Sequence, residues 1–371
     1  MKDLSPDKMR ITTHYMNITS KLTRLLKLSL VAVLVLSSGT SLFAQKKKGG
    51  KEAEKKYLRV LYWNIQDGMW ADQENNYDNF VEWVKKQNPD ICVFCEASTI
   101  YATGTRNEIP LEERYLPDHW GELCARWGHT NWVKGPQRKS SGYKYGICNY
   151  PQVVTSNLPL ECIERFEGHK PDTVIVSGSA WHKVYVPGVE KPLNIVPIHA
   201  YAFRYGRGIK GKTKAETDSL KKVSSARYDG EYQRIKEFKY TIDHTVGKSQ
   251  NPDEEYWMMV GDFNGYSRHD NYKYKYNDAS LGFASQEFMN SHESPYYDVV
   301  AEMLPGAFQP SHKNTHRIDY VFATKALLNA CAGVICPRDE FCKPRKVEGH
   351  KYCLPSDHSP IIVDFKLSKL K

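Results

Sequence analysis

Residues Met258 to Ser267 read MMVGDFNGYS. With Tyr256 and Trp257 ahead of it, the run through Val260 is apolar, long enough for a buried strand and too short for a typical helix. Gly261 opens the backbone at its end, where Asp262 and Asn264 stand two residues apart. In extended chain such residues project to the same side, because side chains alternate with period two. A carboxylate binds a hard divalent cation, and an amide donates to an anion without adding charge, so the pair suits a metal and a phosphate oxygen. An isolated strand end of this kind is more often a turn than a site. Its weight comes from the rest of the chain, where the same event recurs.

Tyr57 to Ile65 (YLRVLYWNI) reads as a strand that ends at Asn64, ahead of the turn signal Gln66-Asp67-Gly68. Ile91 to Phe94 is apolar on both faces and terminates in Glu96, a carboxylate that is costly at a buried strand end unless paired or metal-bound. Leu193 to His199 (LNIVPIH) ends in an imidazole, Arg317 to Phe322 (RIDYVF) carries Asp319, and Ser356-Asp357-His358-Ser359-Pro360 leads into the strand Ile361 to Phe365. Tyr143 to Tyr150, Val153 to Leu160 and Thr173 to Val186 also read as strands. Tyr77, Phe80, Val81 and Val84 have the spacing of an amphipathic helix, stopped by Asn88-Pro89-Asp90. Leu116, Trp120, Leu123, Cys124 and Trp127 predict a second helix, and Ser225 to His244 a third. The pattern is α/β, and loops at strand ends are where sites assemble in such folds.

The N-terminus stands apart. Lys21, Arg24 and Lys27 precede the apolar run Leu28 to Leu36, and Leu42-Phe43-Ala44 has the small-residue ending of a secretory signal, so residues 1–44 read as a signal peptide cleaved before Gln45. The apolar run is shorter than the roughly 20 residues that a membrane span needs, so no stable span is expected once the signal is removed, and the expected location is periplasmic or secreted. Residues 45–56 form a basic flexible tether, and 57–371 are read as one catalytic domain. The net charge of +9 divides into +4 for residues 1–44, +4 for 45–56 and +1 for the remainder. The catalytic region is therefore near neutral, and the basic balance of the whole chain is no evidence for nucleic-acid binding. Nine cysteines are an odd number; Cys331, Cys336, Cys342 and Cys353 crowd the last quarter, where a disulfide pinning a loop is expected. Their spacing with His350 matches no standard zinc pattern. Cys92-Val93-Phe94-Cys95 lies within a strand pattern and does not open a helix, so buried thiols are expected there rather than a redox pair.

In order and spacing, WNI (Trp63 to Ile65), CEAS around Glu96, PIHAY around His199, GDFN (Asp262, Asn264), RIDYV around Asp319 and SDHSP (Asp357, His358) resemble the endonuclease/exonuclease/phosphatase superfamily. The resemblance implies a four-layered α/β sandwich, with two mixed β-sheets packed face to face and helices outside. It implies a Mg²⁺ or Mn²⁺ ion, with Ca²⁺ a further candidate, held by Glu96 with Asn64 and Asp357 nearby. It also implies His358 acting on the attacking water with Asp319 orienting its ring, Asp262 and Asn264 positioning nucleophile and phosphate, and His199 at the phosphoryl group or leaving oxygen. The activity implied is hydrolysis of a phosphodiester or phosphomonoester by a monomer, on nucleic acid or on a phospholipid or sugar phosphate; a phosphate-binding protein on an inactive scaffold is the non-enzymatic alternative. Each residue also has a plainer role: Asn64 as a turn cap, Asp319 as a partner of Arg317, His199 as a core histidine. The sequence departs from deoxyribonuclease-type members, which place a Glu where Tyr143, Lys144 and Tyr145 stand, and from AP endonucleases, which usually have Tyr at the position of His199. Arg204 and Arg207 in a basic stretch, Tyr272 and Tyr274 in a run of alternating Tyr and Lys, and Tyr143 and Tyr145 are candidate substrate contacts.

Overall fold

A computed structural model describes residues 55–98, 119–136, 138–139, 147–148, 150–166, 174–202, 211–222, 230–277, 280–350 and 352–371. The expected signal peptide, most of the tether, and Tyr143, Tyr145, Arg204 and Arg207 lie outside these residues.

Two six-stranded sheets make the frame. The strands are β1 (Tyr57–Asn64), β2 (Ile91–Cys95), β3 (Asn131–Lys134), β4 (Val153–Ser156), β5 (Leu160–Phe166), β6 (Ser179–Val184), β7 (Leu193–His199), β8 (Tyr256–Asp262), β9 (Tyr297–Asp298), β10 (Asp319–Ala323), β11 (Cys331–Ile335) and β12 (Ile361–Lys366). The first sheet runs β11-β12-β1-β2-β4-β3 and the second β9-β10-β8-β7-β6-β5. Each is mixed in the same way: one central parallel pair, β1 with β2 and β7 with β8, flanked by antiparallel neighbours. The ends of each parallel pair and the start of the antiparallel strand beside it fall at one edge of the sheet. Asn64 and Glu96 share that edge with the approach to β12 in one sheet, and His199, Asp262 and Asp319 share it in the other.

Period-two alternation sorts the side chains into layers. Val60, Tyr62, Ile195, Met258, Val260 and Val321 face inward and form the core between the sheets. The outer face of the first sheet carries Leu61, Trp63 and Phe94, covered by helix α1 (Asp78–Gln87) through Phe80, Val81, Trp83 and Val84, and by α2 (Trp120–Ala125) through Trp120 and Leu123. The outer face of the second carries Trp257, Met259 and Phe322, covered by α3 (Gly230–His244) through Phe238 and Ile242. This gives the four layers, helices outside and two sheets inside.

Two strand readings change in detail. The run expected over Val153 to Leu160 divides into β4 and β5, because Ser156 Oγ accepts the amide of Leu158 at 2.9 Å and Pro159 has no N–H to continue a ladder. Pro197 is accommodated within β7 because the β6 ladder stops short of it, and Ser179 Oγ donates to its carbonyl at 2.6 Å. The expected C-terminal disulfide is corrected: Cys331, Cys336, Cys342 and Cys353 are free thiols. Cys342 packs into the cluster beneath α1, whereas Cys331 and Cys336 pack against the core between the sheets, so the sequence neighbours occupy different layers. Cys92 and Cys95 are buried thiols on β2. Among the described residues no helix is long and apolar enough to cross a membrane.

Gly261 is required by close approach. A Cβ there would lie 1.8 Å from the carbonyl oxygen of Ile198 on the parallel neighbour. Gly261→Ala therefore pushes β7 and β8 apart at the edge where the site residues sit, and is expected to lower unfolding stability by about 3 kcal/mol or more. Urea denaturation checks this; a loss below about 1 kcal/mol would contradict the packing described.

Candidate active site

Six strand-end segments converge on a cleft of about 250 Å³ lined by Glu96, His199, Asp262, Asn264, Asp357 and His358, with His312, Tyr266, Ile318 and Ala202. Its floor is a buried relay that crosses the two sheets. Asp319, fully buried, accepts from the Tyr62 hydroxyl at 2.5 Å and contacts His358 Nδ1 at 2.7 Å. Its backbone amide donates to Ser311 Oγ at 3.0 Å. Burial and the Asp319 charge push the Tyr62 phenol far above its ordinary range, so it remains a donor. Burial disfavours an imidazolium at His358, but the carboxylates of Asp319 and Asp262 outweigh it and hold that imidazole well above its usual range. The plainer role for Asp319, as a partner of Arg317, is not met by the geometry. Arg317 is buried against Asp270 and Asp298, at 2.7 and 2.6 Å, which leaves Asp319 to the histidine.

Asn64 sits where the sheets meet. Its Oδ1 accepts the amide of Gln66 at 3.1 Å, and its Nδ2 donates to Glu96 Oε1 at 3.3 Å and to Asp262 Oδ2 at 3.2 Å. As placed, it turns nitrogen rather than oxygen toward the carboxylates. Glu96 follows β2 with φ 52° and Asn264 follows β8 with φ 51°, left-handed conformations that side chains other than glycine adopt at a cost of about 1–3 kcal/mol and that recur at functional sites. The turn at Asn264 is held by its own amide donating to Asp262 Oδ1 at 2.9 Å and by its Nδ2 donating to the Ala200 carbonyl at 3.1 Å. Asp67 N donates to the second oxygen of Glu96 at 3.2 Å.

His199 Nε2 lies 3.7 Å from Asp262 and 3.9 Å from Glu96, and its ring meets Tyr150 edge-on at 5.6 Å between centroids. Burial, and then the nearby His358 charge, lowers it to about 4. Glu96 is raised to about 7 by burial and by the charge of Asp357. Burial, and then Asp319, pushes Asp262 well above the carboxylate range. Asp357 is held low against the effect of burial by its contact with His312 Nε2 at 3.5 Å and by the His358 charge.

Sequence reasoning missed His312, Lys313, Tyr62 and Ser311. His312 pairs with His358 in a backbone bridge, their rings 4.9 Å apart, and Lys313 Nζ is 3.5 Å from Asp357. Only Tyr62 left a trace in the sequence, as the residue two before Asn64 on the same strand face. Tyr272 and Tyr274 do not line the cleft. The Tyr272 hydroxyl donates to the Gly306 carbonyl at 3.1 Å, and Tyr274 Oη accepts the Arg317 amide at 3.0 Å while its ring stacks on His316 and Tyr276. Within the run, Tyr274 therefore braces the segment ahead of Asp319, while Tyr272 is exposed away from the cleft lining.

The donor set fits a hard cation. Three carboxylates, Glu96, Asp262 and Asp357, line one small cleft with imidazoles and an amide, and no thiol takes part. Groups close enough to share an ion are His312, Asp357 and His358, and Asp262, Asp319 and His358.

The profile of the endonuclease/exonuclease/phosphatase family matches residues 61–358, and the chain belongs to that family. Its members are hydrolases, nucleases and phosphatases among them, and are generally dependent on a divalent metal. Among solved structures, an endonuclease/exonuclease/phosphatase from Beutenbergia cavernae is similar at TM-score 0.54 and 15% identity, over 84% of this chain and 72% of that one. A 3′ phosphatase from Neisseria bound to a product DNA hairpin matches at TM-score 0.49 and 15% identity, covering 83% and 99%. An AP endonuclease from Archaeoglobus fulgidus matches at 0.47 and 15%, also covering 83% and 99%. No curated protein matches the chain.

With its proton favoured in the folded state, His358 contributes stability that is present below about pH 6.5 and is lost as pH rises through its raised value. In metal-free protein, an NMR titration of the His358 ring is expected to have a midpoint above 6.5, and Asp319→Asn should bring it down. An unmoved midpoint in Asp319→Asn would show that the pair does not control this proton.

Proposed function

We propose that this chain is an exported, divalent-metal-dependent phosphoesterase that hydrolyses a phosphodiester or phosphomonoester by attack of water. The observation that carries the reading is the buried His358–Asp319 pair, closed at 2.7 Å and opening onto a cleft lined by Glu96, Asp262 and His199. His358 presents Nε2, 3.7 Å from Asp262, toward the cleft and takes or orients the proton of the attacking water. Asp319 fixes the ring by holding Nδ1–H, the role a carboxylate plays for a catalytic imidazole elsewhere. Asp262 and the turn at Asn264 position water and phosphate, and His199, kept neutral by burial at neutral pH, hydrogen-bonds the phosphoryl or leaving oxygen.

Glu96 and Asp357 hold the cation, with Asn64 bracing Glu96 from behind. Mg²⁺ or Mn²⁺ suits these oxygen donors, and Ca²⁺ is the further candidate. When bound, such an ion counters charge on the phosphoryl oxygens and polarises the P–O bond. Residues 1–44 act as a cleaved export signal and 45–56 as a tether; N-terminal sequencing of secreted protein should begin at Gln45.

His358→Ala is expected to lower turnover of bis(p-nitrophenyl) phosphate at least about a hundredfold with the fold intact by circular dichroism. EDTA should abolish wild-type turnover, and Mg²⁺ or Mn²⁺ should restore it. Wild-type protein inert with Mg²⁺, Mn²⁺ and Ca²⁺ across DNA, RNA, sphingomyelin, sugar phosphates and inositol phosphates would favour an inactive binding scaffold.

A further inference from the structure

A second pocket, of about 320 Å³, lies on the outer face of the second sheet and contains two indoles and three lysines. Trp257 lies near the start of β8, five residues before Asp262, and Asn194 stands five residues before His199 on β7. At about 3.3 Å per residue the pocket is therefore about 16 Å along the strands from the cleft, and Trp257 faces the helix layer rather than the core between the sheets. It is a separate place on the molecule.

Its chemistry is specific. Trp181 and Trp257 have ring centroids 5.0 Å apart, and each indole N–H is already satisfied, by Asn194 at 3.0 Å and Glu255 at 2.7 Å; Trp257 is buried, so the half-buried Trp181 is the ring left to offer an apolar face. Lys183 and Lys248 converge on the Trp181 ring, at 5.3 and 5.9 Å from its centroid. Lys248 is paired with Glu164 at 2.9 Å, and Lys191 donates to a neutral acceptor, the Glu254 carbonyl, at 3.0 Å. Lys183 has no carboxylate partner among the described residues. Three lysines and one glutamate give the lining a formal charge of +2 around a partly exposed ring. Glu164 already answers Lys248, so Lys183 is the ammonium beside Trp181 left for an incoming anion, and the volume falls at the small end of ligand pockets, about 300–1,000 Å³.

We infer that this pocket is a non-catalytic nucleotide site, in which a base stacks on Trp181 and the phosphate lies between Lys183 and Lys248. Stacking on an indole with phosphate held by ammonium groups is the mode by which proteins grip nucleotides without reading sequence. The ligand is a free mononucleotide or the terminal nucleotide of a chain, which present the same ring and phosphate.

Calorimetric titration of the whole protein in EDTA tests it, with AMP, ribose 5-phosphate, inorganic phosphate and a short single-stranded DNA as probes. AMP is expected to bind about tenfold or more tightly than ribose 5-phosphate or phosphate. Trp181→Ala and the surface variant Lys183→Glu should each weaken AMP about tenfold, while metal-dependent turnover of bis(p-nitrophenyl) phosphate stays at the wild-type level. The same loss with the DNA would assign the site to chain ends as well; loss with AMP alone would assign it to free nucleotides. AMP affinity unchanged in both variants, or equal affinity for ribose 5-phosphate, would overturn the inference. Because binding is read without metal, failure here leaves the phosphoesterase reading intact, and an inert cleft leaves this site intact.

Discussion

One buried charge organises the structure. Asp319 stands with no solvent access at the start of a strand in the second sheet, where an unpaired carboxylate would cost several kcal/mol. The first sheet supplies its partners: the Tyr62 hydroxyl, which donates to it, and His358 from the approach to β12. The two sheets must therefore meet in one register for either to be tolerable, and Asn64, reaching from the first sheet to Asp262 in the second, depends on the same register. A contact that joins the two sheets also raises the proton affinity of the imidazole at the floor of the cleft.

The rest follows from how each sheet is built. A central parallel pair with an antiparallel neighbour sends three chain termini to one edge, and two such sheets face to face bring six termini together. Residues there do not continue a ladder, so their backbones take up the left-handed turns at Glu96 and Asn264 and their side chains point at one another across the seam. Arg317 contributes from beneath. By pairing with Asp270 and Asp298 it anchors the segment entering β10, and among the described residues the basic group on Asp319 is His358. The concentration of negative charge that results, with Glu96 and Asp262 both pushed up by burial, is the environment that a hard cation relieves.

Legibility in the sequence tracked the range of the interaction. Strands ending in Asn64, Glu96, His199 and Asp262 were readable because an apolar run and its terminal polar residue are local. Tyr62 was readable in principle, two residues before Asn64, but an aromatic within an apolar strand carries no sign of the carboxylate it will meet. His312 was not readable. It lies in the loop segment Ser311-His312-Lys313-Asn314, and it reaches the site only through its bridge to His358. Tyr272 and Tyr274 misled for the converse reason: alternating rings and ammonium groups look free for ligand, yet Tyr274 is held against the Arg317 segment and Tyr272, though exposed, donates to Gly306 away from the cleft lining.

By itself the sequence determined the α/β class, the identity of the strand-end residues and their chemistry, because hydrophobic periodicity and strand termination are properties of neighbouring residues. Only the tertiary structure decided that Asp319 serves His358 rather than Arg317, that Asn64 braces Glu96 with its nitrogen, that His312 and Lys313 flank Asp357, and that the C-terminal cysteines remain unpaired, with Cys342 in a different layer from Cys331 and Cys336. Those outcomes turn on which buried charge meets which partner across two sheets. That is set by the packing of layers hundreds of residues apart in sequence, and no local pattern encodes it.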